Sequence, residues 1–311
     1  MTVSVPVGPR GGAVGRVPVI AVLGATGMVG SATMRALSLR GLRHYGVARN
    51  RPISKNMTFY ETADICDQDS LRGALSEADV IIHAASYTGR APAESDAVNR
   101  IGAENVAAVA AQYGISRIIY VSTVGVYGIG PHRGVVENEV VPNPVTHVSK
   151  SRLAAEHIIR RAGGIVVRPG FVYGKGDRWF LPGVASILTR LGAWIDDGGS
   201  QISVISMDDL AGILCDLATI IEPVDDLYHA CELDPVTMRN VGEVANRTYP
   251  FELPRSSIGF EEARRNCVNV GLSEREIDLV GLDHYYDASR IWAATRSSPS
   301  THFDQLAKQD T

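Results

Sequence analysis

Gly24-Ala25-Thr26-Gly27-Met28-Val29-Gly30 follows a short apolar run that begins at Val17, and it leads into a segment of helical character. Glycines at this spacing permit a tight turn and let backbone N–H groups close on a pyrophosphate, while the start of a helix adds a favourable dipole. The strand before and the helix after distinguish this loop from an ordinary glycine-rich βα turn. At the end of the next apolar run, where a carboxylate would bond the ribose hydroxyls of NADH, the chain reads Val47-Ala48-Arg49-Asn50-Arg51. Two guanidinium forks and no acid suit a 2′-phosphate, so Arg49 and Arg51 favour NADPH, with NADH still compatible with the glycine loop. The plainer reading of the two arginines is a pair of solvated loop residues.

A second group lies further along. Asn143 followed by Pro144 reads as an N-cap and first helical residue, which predicts a helix carrying Thr146 and Lys150 four residues apart on one face. His147 has an intrinsic pKa suited to proton transfer, but on a helix it points about 100° away from its neighbour.

Elements able to position these groups are present in order. An apolar run from Val17, a helix from Met28 to Leu39 stopped by Gly41, and a run from His44 to Arg49 give strand, helix, strand, which implies a parallel sheet. Further strands are predicted at residues 79–85, 117–123 and 164–170, with helical stretches between them. After Gly174 the pattern becomes irregular. Residues 1–16 read as a flexible extension and 17–175 as the nucleotide-binding core, with a later return near 204–230. Residues 176–203 and 231–311 then form a smaller substrate-binding region.

Composition narrows the partners. The 311 residues are 45% hydrophobic and 21% charged, as expected of a globular chain, and the formal net charge is -4. That balance offers no basic footprint for nucleic acid or anionic lipid, which leaves small molecules. No apolar run reaches the length of a membrane span. Cys66, Cys215, Cys231 and Cys267 have no metal-ligand spacing and do not form a disulfide framework, so no metal is expected and a reducing cytoplasm suits the chain. Oligomeric state is not legible.

The glycine loop, Asp64-Ile65, His83-Ala84-Ala85, Val121-Ser122-Thr123 with Tyr127-Gly128, Ser149-Lys150 and Arg168-Pro169-Gly170-Phe171-Val172-Tyr173-Gly174 occur in an order that resembles the extended short-chain dehydrogenase/reductase family, in its epimerase, dehydratase and ketoreductase branch. Met207-Asp208-Asp209-Leu210 and Tyr286 to Arg290 extend the resemblance toward the C-terminus. It implies an α/β fold, a Rossmann-type doubly wound parallel sheet with a smaller C-terminal substrate-binding region. It implies that Gly24, Thr26, Gly27, Met28, Val29 and Gly30 cradle the pyrophosphate and that Asp64 and Ile65 flank the adenine. Ala84, Ala85 and Ser86 would line the cofactor, with Pro169, Phe171 and Val172 toward the nicotinamide. Tyr87, Ser122 and Phe180 become candidate substrate contacts. Asp64 could instead be a solvated cap, and His83 reads best as a satisfied core histidine.

Members of that family use a Ser or Thr to orient a carbonyl, a Tyr to pass a proton, and a Lys to lower the Tyr pKa and hold the ribose. The resemblance assigns the first role to Thr123 and the last to Lys150, and it puts Thr146 where the Tyr should stand. An aliphatic hydroxyl is too weak an acid for that task near neutral pH. Tyr87, Tyr127 and Tyr173 are other phenols on loops. Three readings follow: a ketoreductase whose proton comes from water or substrate, a silent NADP-binding sensor or scaffold, and a sugar-nucleotide ketoreductase or epimerase using another residue. Resemblance to atypical members in antibiotic pathways favours the first, acting on an aromatic polyketide of angucyclinone type.

Overall fold

The computed structural model describes residues 17–50, 59–221, 224–299 and 303. Strands β1 (Ile20–Leu23), β2 (His44–Ala48), β3 (Tyr60–Thr62), β4 (Val80–His83), β5 (Arg117–Val121), β6 (Ile165–Pro169) and β7 (Leu227–Ala230) form one sheet in the order β7-β6-β5-β4-β1-β2-β3. β1 pairs in parallel with β2 and β4, β4 with β5, and β5 with β6. The order runs outward in both directions from β1, as in a doubly wound dinucleotide fold. Every residue of β1 and β4 is buried, which explains why these strands read as continuous apolar runs instead of alternating ones.

Helices α1 (Met28–Leu39), α2 (Gln68–Leu75), α3 (Gly102–Tyr113) and α4 (His147–Arg161) accompany the sheet. α1 has the bounds its sequence predicts, and α3 stops at Gly114, which adopts the left-handed conformation with φ 68°. Val106 and Val109 of α3 and Ala155 and Ile159 of α4 share a core with Ile81, Ile118 and Val166 of the sheet. Full burial of such aliphatic side chains contributes about 1.5–3 kcal/mol each.

The start of α4 differs from the expectation. Asn143 and Pro144 lie outside it, and Thr146 is the N-cap, its side chain accepting from Ser149 N–H. Asn143 is occupied elsewhere: a Cβ on Gly128 would stand 2.1 Å from the Asn143 carbonyl oxygen, so that backbone is pressed against the Gly128 turn.

The chain divides into two compact units. The first comprises the chain up to Thr123 with Thr146–Val167 and Ala211–Tyr228; the second comprises Val124–Val145, Arg168–Leu210 and the chain from His229 onward. Residues 124–145 and 168–175 thus pack with the second unit, whereas sequence order alone groups them with the core. In that unit Phe171–Tyr173 pairs in parallel with Val204–Ser206. The helix Phe180–Leu191 packs in an apolar cluster with Val241 and Ala245 of the helix Met238–Thr248.

Candidate active site

Register gathers the candidate residues of the first unit. Leu23 is level with Val47 and with His83, and His83 is level with Tyr120, so the segments that follow these strands leave one carboxyl edge of the sheet. Open α/β sheets bind ligands at that edge.

At the glycine loop, Gly24 has φ +76°, and a Cβ there would stand 2.6 Å from the Ala85 backbone; one on Gly30 would stand 2.2 Å from the Gly24 carbonyl oxygen. The loop is therefore folded as tightly as glycine allows and abuts the segment after β4. Gly27 N–H closes the turn onto the Gly24 carbonyl at 2.9 Å. No side chain caps α1, and its first turn carries no acid. Met28 and Val29 are half-buried residues at that bare helix start, and Thr26 is exposed beside them. This cradle fits a pyrophosphate.

Arg49 is exposed just beyond β2, whose Val47 carbonyl accepts from Gly24 N–H at 3.0 Å. Arg51 lies outside the described residues. Asp64, half-buried after β3, accepts at Oδ1 from Cys66 N–H at 2.9 Å, closing a turn. Ile65 is buried in the core of this unit, and Gly102 makes room for its side chain.

Behind the edge lies a polar cluster that the sequence reading missed. Arg152 donates from Nε and Nη2 to Ser86 Oγ at 3.0 and 2.8 Å, and from Nη1 to the Ser122 carbonyl at 3.3 Å. Ser122 Oγ, itself buried, donates to the buried Glu156. Asn99 Oδ1 accepts from Ser86 Oγ at 3.0 Å and from Tyr87 N–H at 2.9 Å, while its Nδ2 donates to the Tyr87 carbonyl at 3.1 Å and to Ser151 Oγ at 2.9 Å. Asn99 sits in a π-helical turn, Asp96–Ile101, a local widening frequent at functional positions. Arg152 and Glu156 are four residues apart on α4 and share a face.

Lys150, two residues before Arg152, is exposed and outside this cluster. The hydroxyl of Thr146 is spent on the helix start, accepting from Ser149 N–H at 3.0 Å and donating to Ser149 Oγ at 2.9 Å. The residue one turn before Arg152 is Val148. Thr123 follows β5, half-buried, and His147 is exposed. Ser122 does not present its hydroxyl outward, contrary to its candidacy as a substrate contact.

His83 is wholly buried, but neither ring nitrogen has a hydrogen-bond partner, so it is a core histidine without being a satisfied one. Its ring lies 5.1 Å from that of Tyr120. Burial, followed by the Arg152 charge, lowers its pKa to about 4.

Two of the alternative phenols are committed within the second unit. Tyr127 Oη lies 2.6 Å from His229 Nε2 and accepts from Arg168 at 2.8 Å, and Tyr173 donates to Glu232 at 2.6 Å. Burial raises the Tyr173 pKa, helped by the carboxylate. Tyr87, in the first unit, is half-buried and accepts a long 3.4 Å bond from Ala91 N–H. In the second unit Phe171 and Val172 are half-buried, Pro169 is buried, and Phe180 is buried with its ring stacked on Phe171 at 4.8 Å. Among the described residues no cluster of three or more His, Cys, Asp or Glu could hold a metal ion.

Comparisons with known proteins agree with this architecture. The model of the NAD dependent epimerase/dehydratase family matches residues 20–213. A 4-hydroxy-2-methyl-3-oxo-4-farnesyl-3,4-dihydroquinoline-1-oxide ketoreductase of Stigmatella aurantiaca is 28% identical over 258 residues, covering 78% of this chain and 77% of that protein. Among solved structures, the UDP-Glc/GlcNAc 4-epimerase of Campylobacter jejuni superposes with a TM-score of 0.73 at 18% identity, over 94% of this chain and 97% of its own. A short-chain dehydrogenase/reductase superfamily protein of Agrobacterium tumefaciens with bound NAD gives 0.73 at 16% identity, over 94% and 95%. At such identities the two structures speak for the fold.

Proposed function

The chain belongs to the NAD dependent epimerase/dehydratase family and is an NAD(P)-dependent oxidoreductase, and from that premise we propose that it is an NADPH-dependent ketoreductase acting on an aromatic polyketide ketone that carries an acidic hydroxyl beside its carbonyl. The cofactor, when bound, supplies hydride. The Met28 and Val29 amides would hold its pyrophosphate and Arg49, with Arg51, its 2′-phosphate. Asp64 and Ile65 would flank the adenine, and Ala84, Ala85 and Ser86 would line its path. Thr123 would orient the carbonyl.

The observation that carries the reading is the absence of a phenol at the start of α4. One turn before Arg152 stands Val148, and one turn before Lys150 stands Thr146, whose hydroxyl caps the helix. Arg152 cannot act as an acid either, since a guanidinium keeps its protons at any working pH. A proton is still needed when a carbonyl becomes an alcohol, and an acidic substrate hydroxyl, phenolic or quinoid, next to the reacting oxygen can deliver it. Resemblance to the Stigmatella ketoreductase favours a fused-ring ketone as the substrate, because the compound in that protein's name has a 3-oxo group on a fused ring. An epimerase would need a base at the same place to oxidise its sugar, which disfavours that alternative. NADPH oxidation measured against hydroxylated fused-ring ketones, simple ketones and UDP-sugars tests the reading. Turnover confined to UDP-sugars, or none with any ketone, would refute it.

A further inference from the structure

Phe303 is fully buried in the second unit. Its N–H donates to Glu232 Oε2 at 3.0 Å, and its ring stands edge-on to Tyr173 with centroids 4.9 Å apart. The other oxygen of Glu232 accepts from the Tyr173 hydroxyl at 2.6 Å. On a second side the Phe303 ring is 6.5 Å from Phe180, which stacks on Phe171. One residue near the C-terminus therefore reaches both ends of the strand Phe171–Tyr173, once through Glu232 and Tyr173 and once through Phe180 and Phe171. That strand belongs to a sheet of two, with Val204–Ser206 along one edge, and its Phe171 and Val172 remain half-buried.

We propose that Phe303 is a positioning residue, which braces Phe171–Tyr173 so that the half-buried Phe171 ring is a fixed face for a flat fused-ring ligand. A ring that must stack on another is bound best when its partner is already held, since ordering a loose side chain subtracts from affinity. Edge-on and offset aromatic contacts hold ring orientation as well as burying area. Removing Phe303 would leave a void behind Phe180 and free the Phe171 ring to reorient. Shape at this face, set by Phe303, then selects planar ligands over small aliphatic ketones. The planar substrate class rests on the ketoreductase reading; the bracing does not.

The test pairs amide hydrogen exchange over residues 171–173 with binding of the hydroxyanthraquinone emodin and of NADPH, in the parent and in Phe303→Ala and Phe303→Leu. Phe303→Ala should speed exchange at those amides and weaken emodin by about tenfold or more, and NADPH, most of whose expected contacts lie at the glycine loop and beyond β2, by less. Phe303→Leu, which keeps most of the buried volume but has no ring to stand edge-on to Tyr173, should show both effects in smaller but measurable degree, and it carries the test if the alanine variant does not fold. Unchanged exchange overturns the bracing, and unchanged emodin affinity overturns its role in selection. If the parent itself fails to bind emodin, the planar substrate class and the selection fall together, and the exchange data alone decide whether Phe303 braces the strand.

Discussion

Arg152 Nη2 lies 2.8 Å from Ser86 Oγ, and Nε of the same guanidinium lies 3.0 Å from that oxygen. Among the described residues the hydrogen-bond partners of Arg152 are neutral oxygens, so its charge stands at the carboxyl edge of the sheet without a carboxylate bonded to it. Lys150 is exposed on the same helix. Arg152→Ala should therefore weaken NADPH binding and turnover together by about 10- to 100-fold, the worth of one charge-assisted hydrogen bond of about 1.5–3 kcal/mol. Lys150→Ala should stay within about threefold of the parent. Fluorescence titration of NADPH and steady-state kinetics on both variants check this, and the reverse ranking would return the role to Lys150.

The reason this cation was hidden is physical. Placing the helix start at Asn143 puts Thr146 and Lys150 on one face, and that spacing is plausible on its own. What decides the face is burial: Ser149, Ser151 and Glu156 turn inward, and Glu156 accepts from Ser122 just after β5. The four-residue spacing of Arg152 and Glu156 was a readable signal, but the burial of Glu156 was not. Asn99 had none, because a π-helical turn leaves no trace in a 3.6-residue period. The sheet strands were legible because burial on both faces makes them apolar throughout, and α1 was legible because glycines stand on both sides of it.

Gly30→Ala should abolish measurable cofactor binding. Its Cβ would sit 2.2 Å from the Gly24 carbonyl oxygen, a backbone atom that cannot retreat without opening the cradle. Gly73→Ala, in α2, meets nothing within 4 Å and serves as a control. It should leave binding unchanged and, as an interior helix position, add up to about 1 kcal/mol of stability. Calorimetric titration and thermal melts read both. Cofactor binding that survives Gly30→Ala would show that the loop accommodates a side chain.

Arg49→Ala should lower affinity for NADPH while leaving NADH unchanged, since a guanidinium bonded to a 2′-phosphate has no counterpart in NADH. A loss of about 1.5–3 kcal/mol, or roughly 10- to 100-fold, is expected for the phosphate contact. Parallel titrations with the two reduced cofactors measure it. Equal losses for both would tie Arg49 to the shared part of the molecule.

Acid should destabilise the protein through buried histidines. His83 and His229 are both held neutral by burial, with pKa lowered to about 4, against about 6.5 when unfolded. Between those values the unfolded chain binds more protons, so stability is full above about pH 6.5 and falls as pH drops toward 4. By pH 5 each histidine should cost about 2 kcal/mol relative to pH 7. His132 and His284 are shifted in the same direction by burial and add to the trend. Urea unfolding at pH 7 and pH 5 should show the loss, and His83→Leu should remove about 2 kcal/mol of it. An unaltered pH dependence in that variant would mean that His83 finds a proton acceptor after all.

Proton delivery separates the substrate-assisted reading from its rivals. A positioned general acid is worth about 10²- to 10⁴-fold, so an enzyme without one must obtain that factor elsewhere. A hydroxyl beside the reacting carbonyl is already in place, with none of the orientational cost of recruiting a solute. Methylating that hydroxyl on a fused-ring ketone should then lower kcat by about 10²-fold or more while binding persists. Variants at the protein candidates should leave kcat nearly unchanged. Thr146→Ser keeps the cap and should change nothing, while Thr146→Val should cost about 1 kcal/mol of stability with little effect on kcat, because the hydroxyl serves Ser149. His147→Ala should also be mild, since its side chain is exposed. Tyr87 is the sharper rival: it follows Ser86, which Arg152 holds, and its hydroxyl accepts a bond from Ala91 N–H. If Tyr87→Phe abolished turnover while the methylated ketone reacted at the parent rate, the proton would come from Tyr87 and the substrate-assisted route would be discarded.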